Sequence, residues 1–386
     1  MAERTRILTT HTGSLPRPSD LQEMLQRHAR GEPIDEAAFE GRLPGAAAEI
    51  VQRQVATGLD LVNDGEVGKV SYATYVADRL EGFGGESKGR PMADLAEFPE
   101  YTRRLFAGDL GGARMNLACV GPVALRDPDA VHRDIGRLKA AASAASPAPA
   151  GVFMTAASPG VIARFFENQH YPSEEEYVWA VARAMRPEYQ AIVEAGLALQ
   201  IDAPDLASAR NTVYAGRPLE DFRRGAAQAV EALNWALEGL PPERLRLHVC
   251  WGNYEGPHHR DVELGDMVDI VLSTRPAWIS VEAANPRHEH EWQVWSSVPL
   301  PEGRGLIPGV IDSTTNFIEH PRVVAQRLLR YASVVGPERL MAGVDCGFAT
   351  FAGVSQVDPE IAWAKLGSLV EGARIASGEL ASTPSR

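Results

Sequence analysis

Eight short apolar segments, rich in β-branched residues, alternate with amphipathic helical segments along nearly the whole chain. We predict strands at residues 6–11, 61–66, 151–155, 197–202, 245–250, 278–282, 306–312 and 340–346. Apolar residues recur at helical spacing in residues 174–195, 218–240, 321–335 and 359–377. Alternating strands and helices form parallel sheets, and eight is the number of strands that closes a barrel. The sequence therefore predicts an α/β fold, a (β/α)8 barrel of the TIM type.

An open, doubly wound sheet is the alternative arrangement for such a pattern. It would need a glycine-rich phosphate turn between an early strand and a helix. The nearest candidate, Gly-Phe-Gly-Gly at residues 82–85, neither follows a predicted strand nor begins a helix. The surrounding residues 80–118 are rich in glycine and charge, and we predict that they form an insertion after the second strand. We expect residues 1–378 to form one catalytic barrel domain and residues 379–386 a disordered tail.

Charge and cysteine content argue against several classes of protein. The formal net charge is −13, which disfavours nucleic acid as a partner. The sequence has no run of about 18 apolar residues and no apolar signal core at its N-terminus, so we expect a cytoplasmic protein that does not span a membrane. Its three cysteines, Cys119, Cys250 and Cys346, are too few for a disulfide framework, so we expect reduced thiols.

Four potential metal ligands lie at the carboxyl ends of predicted strands, where barrel enzymes build their active sites: His248, Cys250, Glu282 and Cys346. Period-two alternation points His248 and Cys250 to the same side of their strand. A lone His-x-Cys is usually a core feature, but four ligand-type residues on three strands favour a metal site. Zinc suits such mixed sulfur, nitrogen and oxygen ligands. A bound Zn²⁺ would lower the pKa of a substrate thiol, and the carboxylate of Glu282 is the donor we expect a thiol to displace.

These four residues resemble the zinc site of cobalamin-independent methionine synthase, with its His-x-Cys, a later Glu and a late Asp-Cys-Gly. The resemblance extends over nearly the whole chain and covers the catalytic C-terminal half of that family. Further similar motifs are Thr-Gly-Ser-Leu-Pro-Arg at residues 12–17, Asp-Gly-Glu at 64–66, Gln-Ile-Asp-Ala-Pro at 200–204 and Pro-Gly-Val-Ile-Asp at 308–312. The superfamily also includes enzymes similar to epoxyalkane:coenzyme M transferase.

The resemblance implies roles for further residues. Glu66 and Asp202 would receive the ammonium of homocysteine, and Ser14 would contact its carboxylate. The methyl donor would be a 5-methylfolate and the product methionine. The resemblance implies catalytic positions at Asp312 and Thr314, although this chain has Thr314 where the family has a histidine. In the motif around Asp202, an alanine replaces the family's glutamate.

Two other functions are compatible with the same residues. The first is opening of an epoxide by coenzyme M or another small thiol, in which Arg17 or Lys69 would contact a sulfonate. The second is a protein that binds zinc or a thiol without turnover. His288 and His290, and the pair at 258–259, suggest a second metal site, but we interpret them as exposed residues of a loop or helix start.

Overall fold

The computed structural model describes residues 6–89, 91–105 and 116–382. The strands of this part of the chain are β1 (Leu8–Thr9), β2 (Leu61–Val62), β3 (Leu80–Gly84), β4 (Ala118–Leu125), β5 (Gly151–Ala157), β6 (Glu167–Asn168), β7 (Ala198–Asp202), β8 (Leu245–His248), β9 (Trp278–Glu282), β10 (Gly305–Gly309) and β11 (Met341–Ala342). Its α-helices are α1 (Ser19–Ala29), α2 (Glu36–Thr57), α3 (Val76–Arg79), α4 (Ala93–Ala96), α5 (Pro99–Leu105), α6 (Ala130–Ala144), α7 (Pro159–Phe165), α8 (Glu174–Glu194), α9 (Asp205–Ser208), α10 (Leu219–Ala236), α11 (Val268–Leu272), α12 (Val294–Ser297), α13 (Pro321–Val335) and α14 (Pro359–Ser382).

Eight parallel strands form a barrel. Six of them make one sheet in the order β10-β9-β8-β7-β5-β2, and β1 pairs with β11. Parallel bridges such as Gly309 to Gly343 join β10 to the β11 segment. On the other side, the Asp60 N–H donates to the Thr9 carbonyl at 3.2 Å and links β1 to the chain entering β2. The prediction of a TIM-type barrel is confirmed, with each predicted strand represented.

The insertion also lies where we predicted it, between the second and third barrel strands. There β3 runs antiparallel to β4, and β4 pairs in parallel with the short strand β6. Helices α4 and α5 belong to the same segment. Residue 90 and residues 106–115 of the predicted insertion lie outside the described residues.

Local sequence explains where the elements begin. The central strand β9 reads Trp-Ile-Ser-Val-Glu and is buried at every position, as expected for a parallel strand covered on both faces. Helix α8 begins after Ser173, whose side chain accepts a hydrogen bond from the Glu176 N–H, and three glutamates occupy its first turn. None of the helices in the described ranges is both long and apolar enough to cross a lipid bilayer.

The structure differs from the prediction at the ends of elements. Strand β2 ends at Val62, not at residue 66, because the chain turns through Gly65 and Glu66, both at positive φ. The last helix continues to Ser382, so residues 379–382 are helical and not a disordered tail. Gly378 lies inside the helix and does not adopt the positive φ of a helix-ending glycine, and Leu380 beyond it packs against the core. Residues 383–386 lie outside the described residues.

Candidate metal centre and cavity

Three of the four predicted metal ligands lie together at the carboxyl ends of the barrel strands. His248 ends β8, Cys250 follows two residues later, and Cys346 follows β11. The Cys250 and Cys346 sulfurs are 3.7 Å apart, and one potential ligand atom from each of the three residues lies within 4.8 Å of the others. All three side chains are buried. Two thiols and an imidazole at this spacing can close on one metal ion.

The His248 ring is buried without the hydrogen bonds that such a ring requires. Neither of its nitrogens has a partner among the described residues, although burying an unsatisfied polar group costs about 1–3 kcal/mol. Burial, and after it the charge of Arg246, lowers the pKa of His248 to about 3. The imidazole is therefore neutral and keeps a lone pair available. A buried neutral imidazole beside two thiols fits a zinc-type donor set.

The fourth predicted ligand, Glu282, is outside this cluster. Its Oε1 accepts a hydrogen bond from the Trp251 N–H at 2.8 Å, and its Oε2 accepts one from Asn285 Nδ2 at 2.9 Å. The buried Asp345 holds the following turn, since its carboxylate accepts from the backbone N–H groups of residues 283–285 at 2.8, 3.0 and 2.7 Å. Both Glu282 oxygens are thus satisfied by protein donors.

A cavity of about 290 Å³ adjoins the cluster. Its floor is polar and buried and includes Thr12, Ser14, Glu66 and Asp202. Its remaining wall is largely apolar and aromatic. That wall includes Tyr72, Met92, Leu105, Phe165, Pro204, Tyr254, Phe351 and Val354.

Glu66 and Asp202 form a pair of buried carboxylates in the floor. Glu66 has a φ of +56°, a conformation that non-glycine residues rarely adopt. Its Oε1 accepts from Thr155 Oγ1 at 2.6 Å, while its Oε2 has no partner among the described residues. Burial and then the charge of Glu66 raise the pKa of Asp202 well above its usual value. A cation bound between the two carboxylates would relieve this repulsion.

Two glycines lie so close to side chains of the floor that a larger residue at either position would not fit. A Cβ on Gly13 would lie 2.8 Å from Glu66 Oε1, and a Cβ on Gly347 would lie 2.0 Å from Ser14 Oγ. Larger residues at either position would displace these side chains. Ser14, Glu66 and Asp202, which the sequence predicted as substrate contacts, line this one cavity, and their contact with a substrate stays a prediction.

Arg17 and Lys69, predicted as contacts for a sulfonate, do not line the cavity. Arg17 donates to the backbone carbonyls of Glu66 (3.3 Å), Lys69 (3.0 Å) and Ala349 (2.6 Å). The Lys69 ammonium donates to the carbonyl and hydroxyl of Thr155 at 2.7 and 3.1 Å. Both cations lie beneath the floor and hold the turn that carries Glu66.

Asp312 and Thr314, the predicted catalytic residues, contact each other and do not face the cavity. The Asp312 Oδ1 accepts from the Thr314 N–H at 3.1 Å and from its hydroxyl at 2.8 Å, and Oδ2 accepts from the Thr315 N–H at 2.8 Å. Aspartate commonly folds back on its own chain in this way at a turn. Here it shapes the loop that follows β10.

Sequence reasoning missed several residues of the cavity wall, and one of them is charged. Arg164, at the end of α7, is the one lysine or arginine among the described residues that line the cavity. It donates to the Ser208 hydroxyl and lies next to Phe165. Its position in the helix after a barrel strand was the available signal, because such segments build the functional face.

The histidines at 258 and 288 belong to a buried network, and our interpretation of them as exposed residues was wrong. Asp261 Oδ2 lies 2.7 Å from His258 Nδ1 and 3.1 Å from His288 Nε2, and Glu291 Oε2 lies 2.9 Å from His288 Nδ1. The His288 ring stacks on Trp251 at 4.2 Å. The hydrogen bonds to Asp261 and Glu291 outweigh burial and raise the pKa of His288 to about 10. The positively charged form of this ring therefore packs against Trp251, the residue that follows Cys250.

Comparison with known proteins agrees with the geometry. A methionine synthase of Saccharolobus solfataricus is 24% identical over 389 residues, which cover 98% of each chain. The chain is a distant relative of the methionine synthases. A 2-hydroxypropyl-CoM lyase of Xanthobacter autotrophicus is 27% identical over 98% of this chain and 97% of the relative. No family model matches the chain.

The fold is shared with a solved methionine synthase structure. The B12-independent methionine synthase of Shewanella sp. W3-18-1, solved in complex with selenomethionine, superposes with a TM-score of 0.75 at 21% identity. The match covers 98% of this chain and all of the other. The described part of the chain therefore has the same barrel fold as this methionine synthase.

Proposed function

We propose that this protein is a zinc-dependent enzyme that transfers a methyl group from a 5-methylfolate to the thiol of homocysteine, giving methionine. The observation that carries the proposal is the unpaired His248 imidazole beside the two cysteine thiols, at the edge of a cavity with a carboxylate pair in its floor. The methionine synthase names of relatives that align over the whole chain support the choice of reaction.

His248, Cys250 and Cys346 would hold the metal. Bound zinc would lower the pKa of the substrate thiol, so that a thiolate nucleophile is present at neutral pH. Three protein ligands leave one tetrahedral position for that thiol. Glu282 is not counted among these ligands because neither of its oxygens lies within the cluster of ligand atoms; each oxygen accepts one hydrogen bond, from Trp251 or from Asn285.

The chain's own carboxylates would orient the acceptor. Glu66 and Asp202 would bind its ammonium, which relieves the repulsion between two buried acids, and Ser14 would donate a hydrogen bond to its carboxylate. In the transfer itself a sulfur–carbon bond forms and the nitrogen–methyl bond breaks. The electron pair stays on the nitrogen, which takes a proton. Asp312 and Thr314 are not assigned to this step because their side chains are engaged with each other.

A second candidate is the opening of an epoxide by a small thiol. It is favoured by the similarity to a 2-hydroxypropyl-CoM lyase and by the aromatic wall formed by Tyr72, Phe165 and Phe351, which suits an apolar electrophile. In this reaction a sulfur–carbon bond forms, a carbon–oxygen bond of the ring breaks, and the oxygen takes a proton.

The test is parallel turnover of zinc-loaded protein with two substrate pairs. Homocysteine with 5-methyltetrahydrofolate is expected to give methionine, measured by mass spectrometry. Epoxypropane with 2-mercaptoethanesulfonate tests the second candidate. Turnover of the epoxide pair alone would replace the first function by the second. Absence of zinc from protein purified without chelator, together with no turnover of either pair, would refute both.

A further inference from the structure

The proposed function leaves one proton without a donor. In methyl transfer the departing nitrogen takes a proton, and in the opening of an epoxide the ring oxygen takes one. Asp312 and Thr314 hydrogen-bond to each other and do not line the cavity. The donor therefore has to be one of the side chains that do line it.

We propose that the Tyr72 hydroxyl donates this proton to the leaving atom of the electrophile. The inference rests on the proposed function, since it concerns the same transfer at the same metal centre. It assigns Tyr72 as a catalytic residue, a general acid that acts on the electrophile and not on the thiol.

Tyr72 is held between the carboxylate floor and the chain that follows the metal cluster. It lies six residues after Glu66, and its N–H donates to the Thr350 carbonyl at 3.3 Å. Thr350 in turn lies four residues after Cys346. All four residues line the same cavity of about 290 Å³. An electrophile that meets a thiolate at the cluster is therefore enclosed together with this phenol.

The Tyr72 ring is part of the aromatic wall of the cavity. Its centre lies 5.8 Å from that of Phe165 and 5.9 Å from that of Phe351, edge-on in both pairs, and all three residues line the cavity. An apolar electrophile that packs against this wall lies beside the phenol. Because the two phenylalanines hold the ring, its hydroxyl is positioned before the electrophile arrives.

The Tyr72 hydroxyl is free to donate a hydrogen bond. None of the described residues forms a hydrogen bond with its oxygen, and that oxygen is not sealed from solvent. The second phenol of the cavity wall differs in this respect, because the Tyr254 hydroxyl donates to Asp94 Oδ2 at 2.5 Å. Of the two phenols, only Tyr72 therefore has an uncommitted proton.

The other ionisable side chains of the cavity have different roles in the proposed function. His248, Cys250 and Cys346 form the candidate metal cluster. An ammonium bound between Glu66 and Asp202 favours the ionised form of both, so neither carboxylate holds a proton during the transfer.

The aliphatic hydroxyls of the wall are less suitable donors. Thr12 Oγ1 donates to the Val344 carbonyl at 3.0 Å, and Ser208 Oγ donates to the Pro204 carbonyl at 2.5 Å. A phenol, with an ordinary pKa of about 10, is also a stronger acid than an aliphatic alcohol. Tyr72 is therefore the better proton donor.

Burial keeps the phenol protonated at neutral pH. It raises the pKa of Tyr72 well above its usual value; the charge of Arg164 opposes this rise, whereas Cys250, Cys346 and Asp202 add to it. Tyr72 therefore carries its proton when the electrophile binds. It gives the proton up only to an atom that becomes more basic than a phenolate, as a departing amine nitrogen or an alkoxide oxygen does.

The proton balance of the step is complete. The thiolate sulfur forms a bond to carbon while the carbon–nitrogen or carbon–oxygen bond breaks, and the electron pair of the broken bond stays on the nitrogen or oxygen. That atom takes the proton from Tyr72 Oη. The tyrosinate takes a proton from water when the products leave, which balances the proton that the thiol lost when it became a thiolate.

The test compares electrophiles that need a proton with one that does not, in zinc-loaded protein. Homocysteine with 5-methyltetrahydrofolate, and 2-mercaptoethanesulfonate with epoxypropane, both need a proton donor. Iodomethane needs none, because iodide leaves without a proton. In Tyr72→Phe, kcat with whichever of the two pairs the unaltered protein turns over should fall about 100- to 10,000-fold. The protein-dependent rate of methylation of the same thiol by iodomethane, the zinc content and the thiol Kd from calorimetry should not change, because the ring and its packing remain.

Tyr331→Phe is the matched control. The Tyr331 hydroxyl also has no hydrogen-bond partner among the described residues, but Tyr331 does not line the cavity, so all of these quantities should stay as in the unaltered protein. An unchanged kcat in Tyr72→Phe, or an equal slowing of the reaction with iodomethane, would overturn the inference alone. Turnover of neither substrate pair by the unaltered protein would overturn the proposed function and the inference with it.

Discussion

Replacing Cys346 by serine should abolish tight zinc binding without unfolding the protein. The side chain lies 3.7 Å from Cys250 Sγ, and serine fills nearly the same space without a thiolate. Zinc in four-ligand zinc-finger sites contributes about 10–16 kcal/mol, which is about 2.5–4 kcal/mol per ligand. Loss of one of the three ligands proposed here should therefore raise the Kd for zinc roughly 100- to 1,000-fold.

Cys119 provides the matched control. It is buried, as Cys346 is, but its thiol contacts the Gly121 carbonyl and not the cluster. We expect Cys119→Ser to keep the zinc affinity of the unaltered protein. Competition with a chelator of known zinc affinity gives the Kd values, and cobalt(II) substitution reports thiolate ligands by their charge-transfer absorption. Wild-type affinity in Cys346→Ser, or equal loss in both variants, would refute the metal assignment.

Three further outcomes follow from buried charges. Glu66→Gln should raise the KM of an ammonium-bearing thiol about tenfold or more while zinc content stays constant; parallel loss of both would mean that Glu66 serves the metal. His288→Asn should lower the free energy of unfolding by about 3–5 kcal/mol in chemical denaturation, because two buried carboxylates lose their cation, whereas His290→Asn, at an exposed position, should change little. Burial raises the pKa of Asp205 from 3.8 to about 6, so the folded protein ionises this group less readily than the unfolded chain and loses stability as the pH rises from about 4 to about 6. Asp205→Asn should therefore stabilise by up to about 3 kcal/mol at pH 8 and not at pH 3, where both states are protonated; equal effects at both pH values would contradict this.

Strand periodicity accounts for what the sequence predicted correctly. His248 and Cys250 share a side because alternate residues of a strand do so, and Cys346 meets them because parallel strands end at one rim. Glu282 occupies the same kind of position at the end of its strand, yet its carboxylate lies outside the cluster and accepts hydrogen bonds from Trp251 and Asn285. Where such a carboxylate points depends on the positions of the loops around it, and no residue pattern specifies these.

Proximity in sequence was a poor guide to the direction of charged side chains. Arg17 and Lys69 flank predicted substrate residues but turn beneath the floor, where backbone carbonyls satisfy them. His288 was expected at an exposed helix start, but the segment folds back so that Asp261 and Glu291 enclose the ring. Burial of a charge is decided by partners distant in the sequence, and these become visible only in the folded chain.

The barrel closes through strands from opposite ends of the described chain, and this determines when the metal centre can form. Cys346 follows β11, which pairs with β1, and lies 96 residues after Cys250. At ordinary rates of protein synthesis this separation corresponds to about 5–20 s. For that time the Cys250 thiol does not have Cys346 beside it. The complete cluster of His248, Cys250 and Cys346 can therefore form only when the last strand joins the first, so any metal that needs all three residues depends on closure of the barrel.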